Sequence, residues 1–166
     1  MTEDFVRRKG YLTLGTRLKR IGDRLQADVQ QLNDAMDIPL QAGQYPLVAV
    51  IHERGPLTIG EIADSLGVKQ PGVTRSVNQL MSQKIVTVVR GNKDQRTKVV
   101  ALTEAGRVLV ERGQRDVWPL INGGLADICG DTTASLLDQL DNLEYALNEQ
   151  SLFKRITQEK MADDNG

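Results

Sequence analysis

The chain has 166 residues, of which 40% are hydrophobic and 26% are charged, and its formal net charge at pH 7 is −1. These values are typical of a single folded domain, and they exclude disordered, fibrous and low-complexity chains. No uncharged apolar run approaches the roughly 18 residues that span a bilayer, no apolar stretch follows Arg7, Arg8 and Lys9, and Cys129 is the only cysteine. We therefore expect a cytoplasmic chain that contacts no membrane and has no signal peptide, disulfide or zinc site.

The first predicted helix covers residues 11–32 and carries one apolar stripe. The residues of this stripe recur at spacings of three and four; they are Tyr11, Leu14, Leu18, Ile21, Leu25, Val29 and Leu32. The segment 37–39 ends this helix because it contains a proline. A shorter, mostly buried helix is predicted over residues 44–52, and the glycine and proline at 55–56 end it.

The central segment predicts two helices joined by a tight turn. Thr58 and Glu61 have the spacing of a capping box, so a short helix begins there, and it ends at Gly67. A second helix opens at Gln70. Its buried face consists of Val73, Val77, Leu80 and Met81, and its outward face, which is polar and carries no acid, consists of Pro71, Arg75, Asn78, Gln79 and Ser82, with Thr74 at its edge.

Two β-branched segments, residues 85–89 and 97–102, flank a turn-rich segment and predict a β-hairpin with a basic tip. Thr103 then caps a further helix, which is bent or interrupted near Pro119 and Gly123-Gly124. The predicted apolar positions of that helix are Val108, Leu109, Val117, Leu120 and Ile121. A last helix follows Asp131, and its leucines form a narrow packing seam: Leu136, Leu140, Leu143 and Leu147.

The charges are distributed unevenly along the chain. Residues 67–103 contain seven basic residues and one acid, for a net charge of +6, whereas residues 104–166 have a net charge of −6. A polyanion responds to the local field and not to the net charge of the whole chain. The basic segment therefore favours nucleic acid as a partner, although a basic patch balanced by acidic helices also explains it.

The sequence offers little for catalysis. His52 is the only histidine, and its place at the end of an apolar helix fits a structural residue or the wall of a ligand pocket. We expect Cys129 to be an inert thiol, with a redox sensor as the alternative, and Trp118 to lie in the core or in an interface. Because no nucleophile–base signature and no phosphate-binding glycine loop is present, we expect neither an enzyme nor a metal or cofactor site.

Residues 57–110 resemble the MarR family of bacterial transcription regulators. The helix-turn-helix, a hairpin with an Asp-x-Arg tip and the Leu-Thr-x-x-Gly sequence at 102–106 occur in the order typical of that family. The resemblance implies one domain over residues 1–166, mainly α with a small β-hairpin wing. Within it, residues 37–103 would form the winged helix-turn-helix DNA-binding lobe, and residues 1–36 and 104–166 would form a helical dimerisation lobe. The sequence departs from the family at Lys84, where glycine is usual.

The predicted DNA contacts lie on the second helix of the helix-turn-helix and on the wing. They are Lys69, Gln70, Thr74, Arg75, Asn78, Gln79, Arg90, Lys93, Asp94, Arg96 and Lys98. Arginine pairs with guanine and amides pair with adenine in the major groove, so Arg75 is the leading base reader. The resemblance implies that Arg96 enters the minor groove and that Asp94 orients it. The alternatives are a solvated helix face and a local ion pair in the turn.

The predicted dimer seams are Leu14, Leu18, Ile21 and Leu25 in the first helix and Leu136, Leu140, Leu143 and Leu147 in the last. We expect a homodimer that binds double-stranded DNA at a pseudo-palindromic operator, most often as a repressor. The resemblance also implies release by a small aromatic or phenolic effector, in a cleft lined by the first, second and fifth helices. The alternative is a winged-helix module that binds a protein or senses a ligand without reading DNA sequence; the basic segment argues against it.

Overall fold

The computed structural model describes residues 4–91, 97–130, 135–152 and 154–155. The chain divides into two compact units, Met1–Ile121 and Asn122–Gly166. The helices are α1 (Phe5–Arg8), α2 (Leu14–Ala35), α3 (Tyr45–Arg54), α4 (Ile59–Leu66), α5 (Gln70–Ser82), α6 (Glu104–Arg112), α7 (Trp118–Cys129) and α8 (Leu136–Glu149), and the strands are β1 (Val86–Arg90) and β2 (Lys98–Leu102). Within these described ranges, no helix combines the length and the apolar character that a membrane crossing requires.

The start of the chain differs from the sequence prediction. The Asp4 carboxylate caps the short helix α1, and Tyr11 lies in a 3-10 turn, Gly10–Thr13, that precedes α2. The Tyr11 side chain is 92% exposed, so its place at the head of the apolar stripe was wrong. The Arg20 guanidinium donates a hydrogen bond of 2.7 Å to Asp4 and lowers the pKa of that carboxyl.

The helix-turn-helix is built from local signals that the sequence contains. The Thr58 hydroxyl accepts a hydrogen bond from the Glu61 amide at 3.1 Å, and the Glu61 carboxylate accepts one from the Thr58 amide at 2.8 Å. This reciprocal pair satisfies free amides at the start of α4. Gly67 ends α4 in the left-handed conformation, with φ +63°. The predicted capping box and turn are therefore confirmed.

The wing is a two-stranded antiparallel hairpin. Its register runs from Val86 opposite Leu102 to Arg90 opposite Lys98, and Leu57 adds an isolated bridge to Val100. Lys84 precedes the hairpin with φ +60°, so a lysine adopts here the left-handed turn that suits glycine. The fold class, mainly α with a small hairpin, is confirmed.

The start of α6 gives a physical reason for the Leu-Thr-x-x-Gly sequence. The Thr103 hydroxyl accepts a hydrogen bond from the Gly106 amide at 3.0 Å and donates one to the Lys84 carbonyl at 2.7 Å. A Cβ on Gly106 would lie 2.0 Å from the Ile85 carbonyl oxygen. The threonine therefore caps the helix, and the glycine allows the helix to approach the backbone before β1.

The core lies in the first unit. It consists of Ile38, Leu40, Leu47, Val48, Val50, Ile51, Ile62, Ala63, Val73, Val77, Leu80, Ile85, Val86, Val100, Val110 and Val117. The buried face of α5 is thus Val73, Val77 and Leu80, as predicted. Met81 is 40% exposed and does not belong to it, because it lies one position beyond Leu80 and is therefore turned about 100° around the helix axis from that residue.

The helical segment after the wing is interrupted earlier than predicted. A π-helical turn, Gly113–Val117, separates α6 from α7, and α7 continues through Gly123 and Gly124 without a break. The extra residue of a π-turn shifts the helical phase. Val110 and Val117 are buried, whereas the predicted apolar positions Val108 and Leu120 are exposed.

In the second unit, α8 begins at a capping box that joins Ser135 and Asp138. The Asp138 amide donates to the Ser135 hydroxyl at 3.1 Å. Within the seam of this helix, Leu140 and Leu143 are half-buried and Leu136 and Leu147 are exposed. The predicted start of this helix after Asp131 lies outside the described residues.

Candidate nucleic-acid interface

The outward face of α5 presents a set of polar side chains to solvent. Thr74, Arg75, Asn78 and Ser82 are exposed, and Gln79 is half-buried. Val73, Val77 and Leu80 anchor the opposite face in the core, so the outward face has a fixed orientation. Pro71 lies in the first turn of α5, where its missing amide leaves no unmade helical bond.

Two polar side chains of α5 are engaged within the protein itself. The Thr74 hydroxyl donates to the Gln70 carbonyl at 3.0 Å, and the Ser82 hydroxyl donates to the Gln79 carbonyl at 2.6 Å. The Gln70 amide lies beside α4, because a Cβ on Gly60 would be 3.5 Å from its nitrogen. Arg75, by contrast, makes no ion pair with any acid in the described parts of the chain. Arg75, Asn78 and Gln79 therefore have side-chain donors that none of these bonds uses, and Arg75 and Asn78 are the more exposed of the three.

The wing places two cations directly across from each other. Arg90 ends β1 and Lys98 begins β2; the two residues are paired in the register, and both are exposed. Opposed residues of an antiparallel pair share one face, and like charges there destabilise the pair. A bound anion would remove this repulsion. Lys69, also exposed, lies at the N-terminus of α5.

Three predicted wing residues, Lys93, Asp94 and Arg96, lie outside the described residues. The described part of the predicted DNA face comprises Lys69, Gln70, Thr74, Arg75, Asn78, Gln79, Arg90 and Lys98. These residues come from α5, the turn before it and the paired ends of β1 and β2, all within the first unit. Their assignment to DNA remains a prediction.

The apolar stripe of α2 is incompletely covered. Leu18, Ile21 and Leu25 are 38%, 45% and 38% exposed, respectively, and Leu14 is half-buried. Partly exposed leucine and isoleucine at helical spacing form the kind of face that a partner helix covers.

Sequence reasoning missed a buried polar cluster at the end of α2. The Tyr45 hydroxyl donates to the Asn33 side-chain carbonyl at 2.6 Å, and the Asn33 amide donates to the Leu40 carbonyl at 2.9 Å. Burial raises the pKa of Tyr45. Trp118 packs edge-on against Tyr45, with ring centroids 5.9 Å apart. Only an asparagine beside the predicted apolar stripe could have signalled this cluster.

The other candidate groups show no arrangement for catalysis or metal binding. His52 is half-buried near the end of α3, and Cys129 is exposed. The described residues contain no group of three or more side chains that could hold a metal ion. An open cavity of about 460 Å³ lies beside the end of α2, lined by Asn33, Asp34, Asp37, Ile38 and Pro39.

The helix-turn-helix, the basic hairpin beside it and the polar face of α5 define a winged helix-turn-helix protein. Residues 36–97 match the model of the MarR family. This match, which spans the helix-turn-helix and most of the wing, confirms the resemblance to the MarR family found in the sequence.

Known proteins agree with this assignment. The chain is 32% identical over 95 residues to the transcriptional regulator TcaR of Staphylococcus aureus (strain Newman), an alignment that spans 55% of this chain and 58% of TcaR. Its fold is similar to that of a mutant E. coli MarR complexed with operator DNA, with a TM-score of 0.65 and 20% identity over 89% of this chain and 98% of MarR. Its fold is also similar to that of Bordetella bronchiseptica BpsR, with a TM-score of 0.62 and 22% identity over 92% of this chain and 99% of BpsR. That structure is described as showing how 6-hydroxynicotinic acid regulates the DNA binding of BpsR. The matched relatives are transcription regulators, not enzymes, as the sequence predicted.

Proposed function

We propose that this chain is a sequence-specific transcription regulator that binds double-stranded DNA through α5 and the wing. The observation that carries the proposal is the face of α5. It is exposed, polar and free of acids, it is fixed from behind by three buried apolar residues, and it lies in the segment whose net charge is +6. A surface of this kind has no role in the core, and it suits the major groove of DNA, which admits an α-helix.

In the proposed complex, side chains of α5 read base edges. The guanidinium of Arg75 has two parallel donors for the O6 and N7 atoms of guanine, and the Asn78 amide has the donor and acceptor that match adenine. Gln70, Thr74 and Gln79 lie at the margins of this face and contact either bases or phosphates. Each base contact of this type discriminates by about 1–3 kcal/mol against the wrong base.

The remaining basic residues supply contacts to the DNA backbone. Lys69, Arg90 and Lys98 lie beside the reading face and carry no sequence information, because phosphates are the same at every step. At the wing tip we assign Lys93 to a phosphate and Arg96 to the minor groove, with Asp94 orienting Arg96. Each phosphate neutralised adds to the salt dependence of binding.

The proposed regulator acts as a homodimer in the cytoplasm. The exposed stripes of α2 and α8 are the surfaces on which a second copy would pack, with residues 1–36 and 104–166 as the dimerisation lobe and 37–103 as the DNA-binding lobe. Two α5 helices then meet half-sites about one helical turn apart in a pseudo-palindromic operator. Binding at an operator would block transcription, so repression is the proposed sign of regulation.

We further propose that a small aromatic or phenolic acid releases the protein from DNA. This step is supported by the similarity to BpsR, whose DNA binding is described as regulated by 6-hydroxynicotinic acid. An effector changes DNA affinity only by the difference between its affinities for the two conformations.

Selection from a randomised duplex pool tests the proposal. The purified protein is incubated with the pool at near-physiological salt, and the retained DNA is sequenced. We expect enrichment of an inverted repeat and release from it by an aromatic acid. Weak, strongly salt-dependent retention without any enriched sequence would overturn the sequence-specific function and favour a winged-helix module that binds a protein or senses a ligand.

A further inference from the structure

The turn that connects α2 to the winged lobe is anchored by an arginine distant in sequence. The two terminal nitrogens of Arg112, at the end of α6, donate to the backbone carbonyls of Met36 at 2.6 Å and of Asp37 at 3.3 Å. These carbonyls follow the last turn of α2, where helical partners run out. One side chain therefore joins the end of α2 to the helical segment after the wing.

The same turn is fixed on its inner side by a buried polar cluster. The fully buried Asn33 side chain bonds to the Leu40 carbonyl and accepts from Tyr45 at the start of α3. The backbone amide of Ile38 donates to the Asn33 carbonyl at 2.9 Å. The segment 36–40 is thus bound by hydrogen bonds from α2 and from Arg112, and Tyr45 of α3 binds the Asn33 side chain that makes one of them.

The backbone at Asp37 shows how closely this turn is constrained. Asp37 has φ +52°, a left-handed conformation that a side chain other than glycine adopts at a cost. Such conformations persist where the surroundings over-determine them. One of the two carbonyls that Arg112 binds belongs to Asp37, so the guanidinium holds the strained residue itself.

Arg112 is itself rigidly placed. Val110, two residues before it, and Gly113, directly after it, are buried. A Cβ on Gly113 would lie 3.2 Å from the Trp118 indole nitrogen, so the π-turn packs closely there. The base of the Arg112 side chain is therefore anchored in the core, and the guanidinium has a defined position relative to α3.

We propose that Arg112 is a positioning residue that sets the orientation of the winged lobe relative to α2. The inference rests on the proposed function, in which α2 carries the dimer seam and the elements after the turn carry the DNA face. Rotation at residues 36–40 would move α5 relative to the dimer seam, and thereby change the distance between the two recognition helices. Arg112 restricts that rotation and so selects the spacing of half-sites.

The first test measures the turn without DNA. Hydrogen exchange is followed in the dimer for wild type, Arg112→Met and the matched control Arg115→Met, whose wild-type guanidinium pairs with neighbouring Asp116 at 2.8 Å and 2.9 Å. In Arg112→Met we expect the amides of Met36, Asp37, Ile38 and Leu40 to exchange about tenfold faster while those of α4 and α5 are unchanged. Arg112→Lys, which retains a charged donor, should restore part of the protection.

The second test measures DNA spacing. Binding is compared on the selected operator, on variants with the half-sites one base pair closer or farther apart, and on scrambled DNA. We expect Arg112→Met to bind the operator about tenfold more weakly and to lose most of the discrimination between spacings, with scrambled DNA unaffected. Arg115→Met should match wild type, and Arg112→Lys should recover part of the discrimination, which a general loss of stability would not permit.

The outcomes distinguish a failure of the positioning role of Arg112 from a failure of the proposed DNA-binding function. Unchanged exchange at residues 36–40 in Arg112→Met, or faster exchange with spacing discrimination intact, overturns the positioning role while the DNA-binding function stands. Absence of any preferred operator for the wild type overturns the proposed function, and the role of Arg112 in DNA spacing with it. If Arg112→Met fails to fold, Arg112→Lys and Arg112→Gln take its place, and full spacing discrimination in both overturns the inference.

Discussion

In the proposed complex, Arg75 is the residue on which direct reading of the bases depends most. It is exposed in the middle of the α5 face, three residues before Asn78 on the same side of the helix. We expect Arg75→Ala to weaken operator binding by about 1–3 kcal/mol and to leave binding to scrambled DNA nearly unchanged, because a base contact is lost and not a phosphate contact. Fluorescence anisotropy with the two labelled duplexes measures both values.

A suitable control for Arg75→Ala is Arg107→Ala. Arg107 lies on α6, is exposed, and forms an ion pair of 3.4 Å with Glu104, three residues away. The substitution removes the same charge outside the proposed DNA face, and it should affect neither duplex. Equal losses on operator and scrambled DNA for Arg75→Ala would assign that residue to a phosphate.

The backbone conformation of Lys84 could be predicted from the sequence, because this lysine lies in the turn before the wing, where glycine is expected. The resemblance to the MarR family implies a glycine at this position, and the backbone of the lysine found there is left-handed, with φ +60°. We expect Lys84→Gly to raise the free energy of unfolding by up to about 1 kcal/mol, since glycine adopts this conformation without steric cost. Gln83→Gly, at φ −83°, should instead lower it by about 0.5–1 kcal/mol. Urea denaturation compares both variants, and a loss of stability in Lys84→Gly would contradict this account.

Among the structural elements, the wing carries two proposed DNA contacts whose like charges lower the stability of the hairpin. Arg90 and Lys98 are paired across the strands with the same charge. We expect Lys98→Glu to stabilise the protein by about 0.2–1 kcal/mol, because the repulsive pair becomes an attractive one. The same change should weaken DNA binding on every sequence and lower its salt dependence. Denaturation and salt titrations measure the two effects; improved DNA binding by Lys98→Glu would remove the wing from the interface.

The contact between α6 and the start of β1 depends on a missing side chain. Because a Cβ on Gly106 would meet the Ile85 carbonyl, Gly106→Ala must displace α6 from the wing, and we expect a loss of at least about 2 kcal/mol in unfolding free energy. Gly72→Ala is the matched control. Gly72 lies in helix α5 with nothing within 4 Å of its added Cβ, so the alanine should stabilise by about 0.5–1 kcal/mol. Similar stabilities of the two variants in thermal denaturation would contradict the close approach.

An element could be predicted from the sequence when the interactions that form it join residues close together in the chain. Thr58, Gly67 and Thr103 act within four residues, so the start and end of α4 and the start of α6 can be seen in the sequence. The end of α6 could not be seen, because it is set by the π-turn at Gly113–Val117, and one extra residue leaves little trace in a helical periodicity. The bond of Arg112 to Met36 joins residues 76 positions apart. No pattern within one helix can indicate such a contact.

The same distinction applies to the candidate site. The composition and spacing of α5 were sufficient to predict an exposed polar face, because helical periodicity alone separates it from Val73 and Val77. Periodicity did not separate Met81 from that buried face, since the partner elements decide which side is covered. Nor did it show that the Thr74 hydroxyl bonds to the Gln70 carbonyl, which is a choice of rotamer.

For the whole molecule, the distribution of charge along the chain determines where a polyanion is attracted. The net charge is −1, yet residues 67–103 carry +6 and residues 104–166 carry −6. Fields of exposed charges are screened over about 8 Å at physiological salt, so in the proposed complex DNA responds to the charges near α5 and the wing and not to the net charge of the chain. This local charge would allow an acidic protein to bind a polyanion.

In the proposed dimer, sequence specificity depends on the linkage of two α5 faces. One α5 face contacts few base pairs, whereas two linked faces multiply their discrimination through an effective concentration. We expect the double substitution Leu18→Asp and Leu25→Asp to give monomers, because it places two carboxylates in the apolar stripe of α2, where these leucines are 38% exposed. Sedimentation velocity measures the mass, and anisotropy measures binding to the full operator and to a single half-site.

The double variant should bind the full operator at least about 100-fold more weakly while its affinity for a half-site is retained, because only the linkage between two sites is lost. The control Gln31→Asp adds a carboxylate to the same helix at an exposed position outside the stripe, and should remain dimeric. A stable dimer in the double variant would exclude the α2 stripe from the interface and leave the α8 seam to carry association. Loss of half-site binding as well would mean that α2 supports the winged lobe itself, and that the stripe stabilises the fold as well as the dimer.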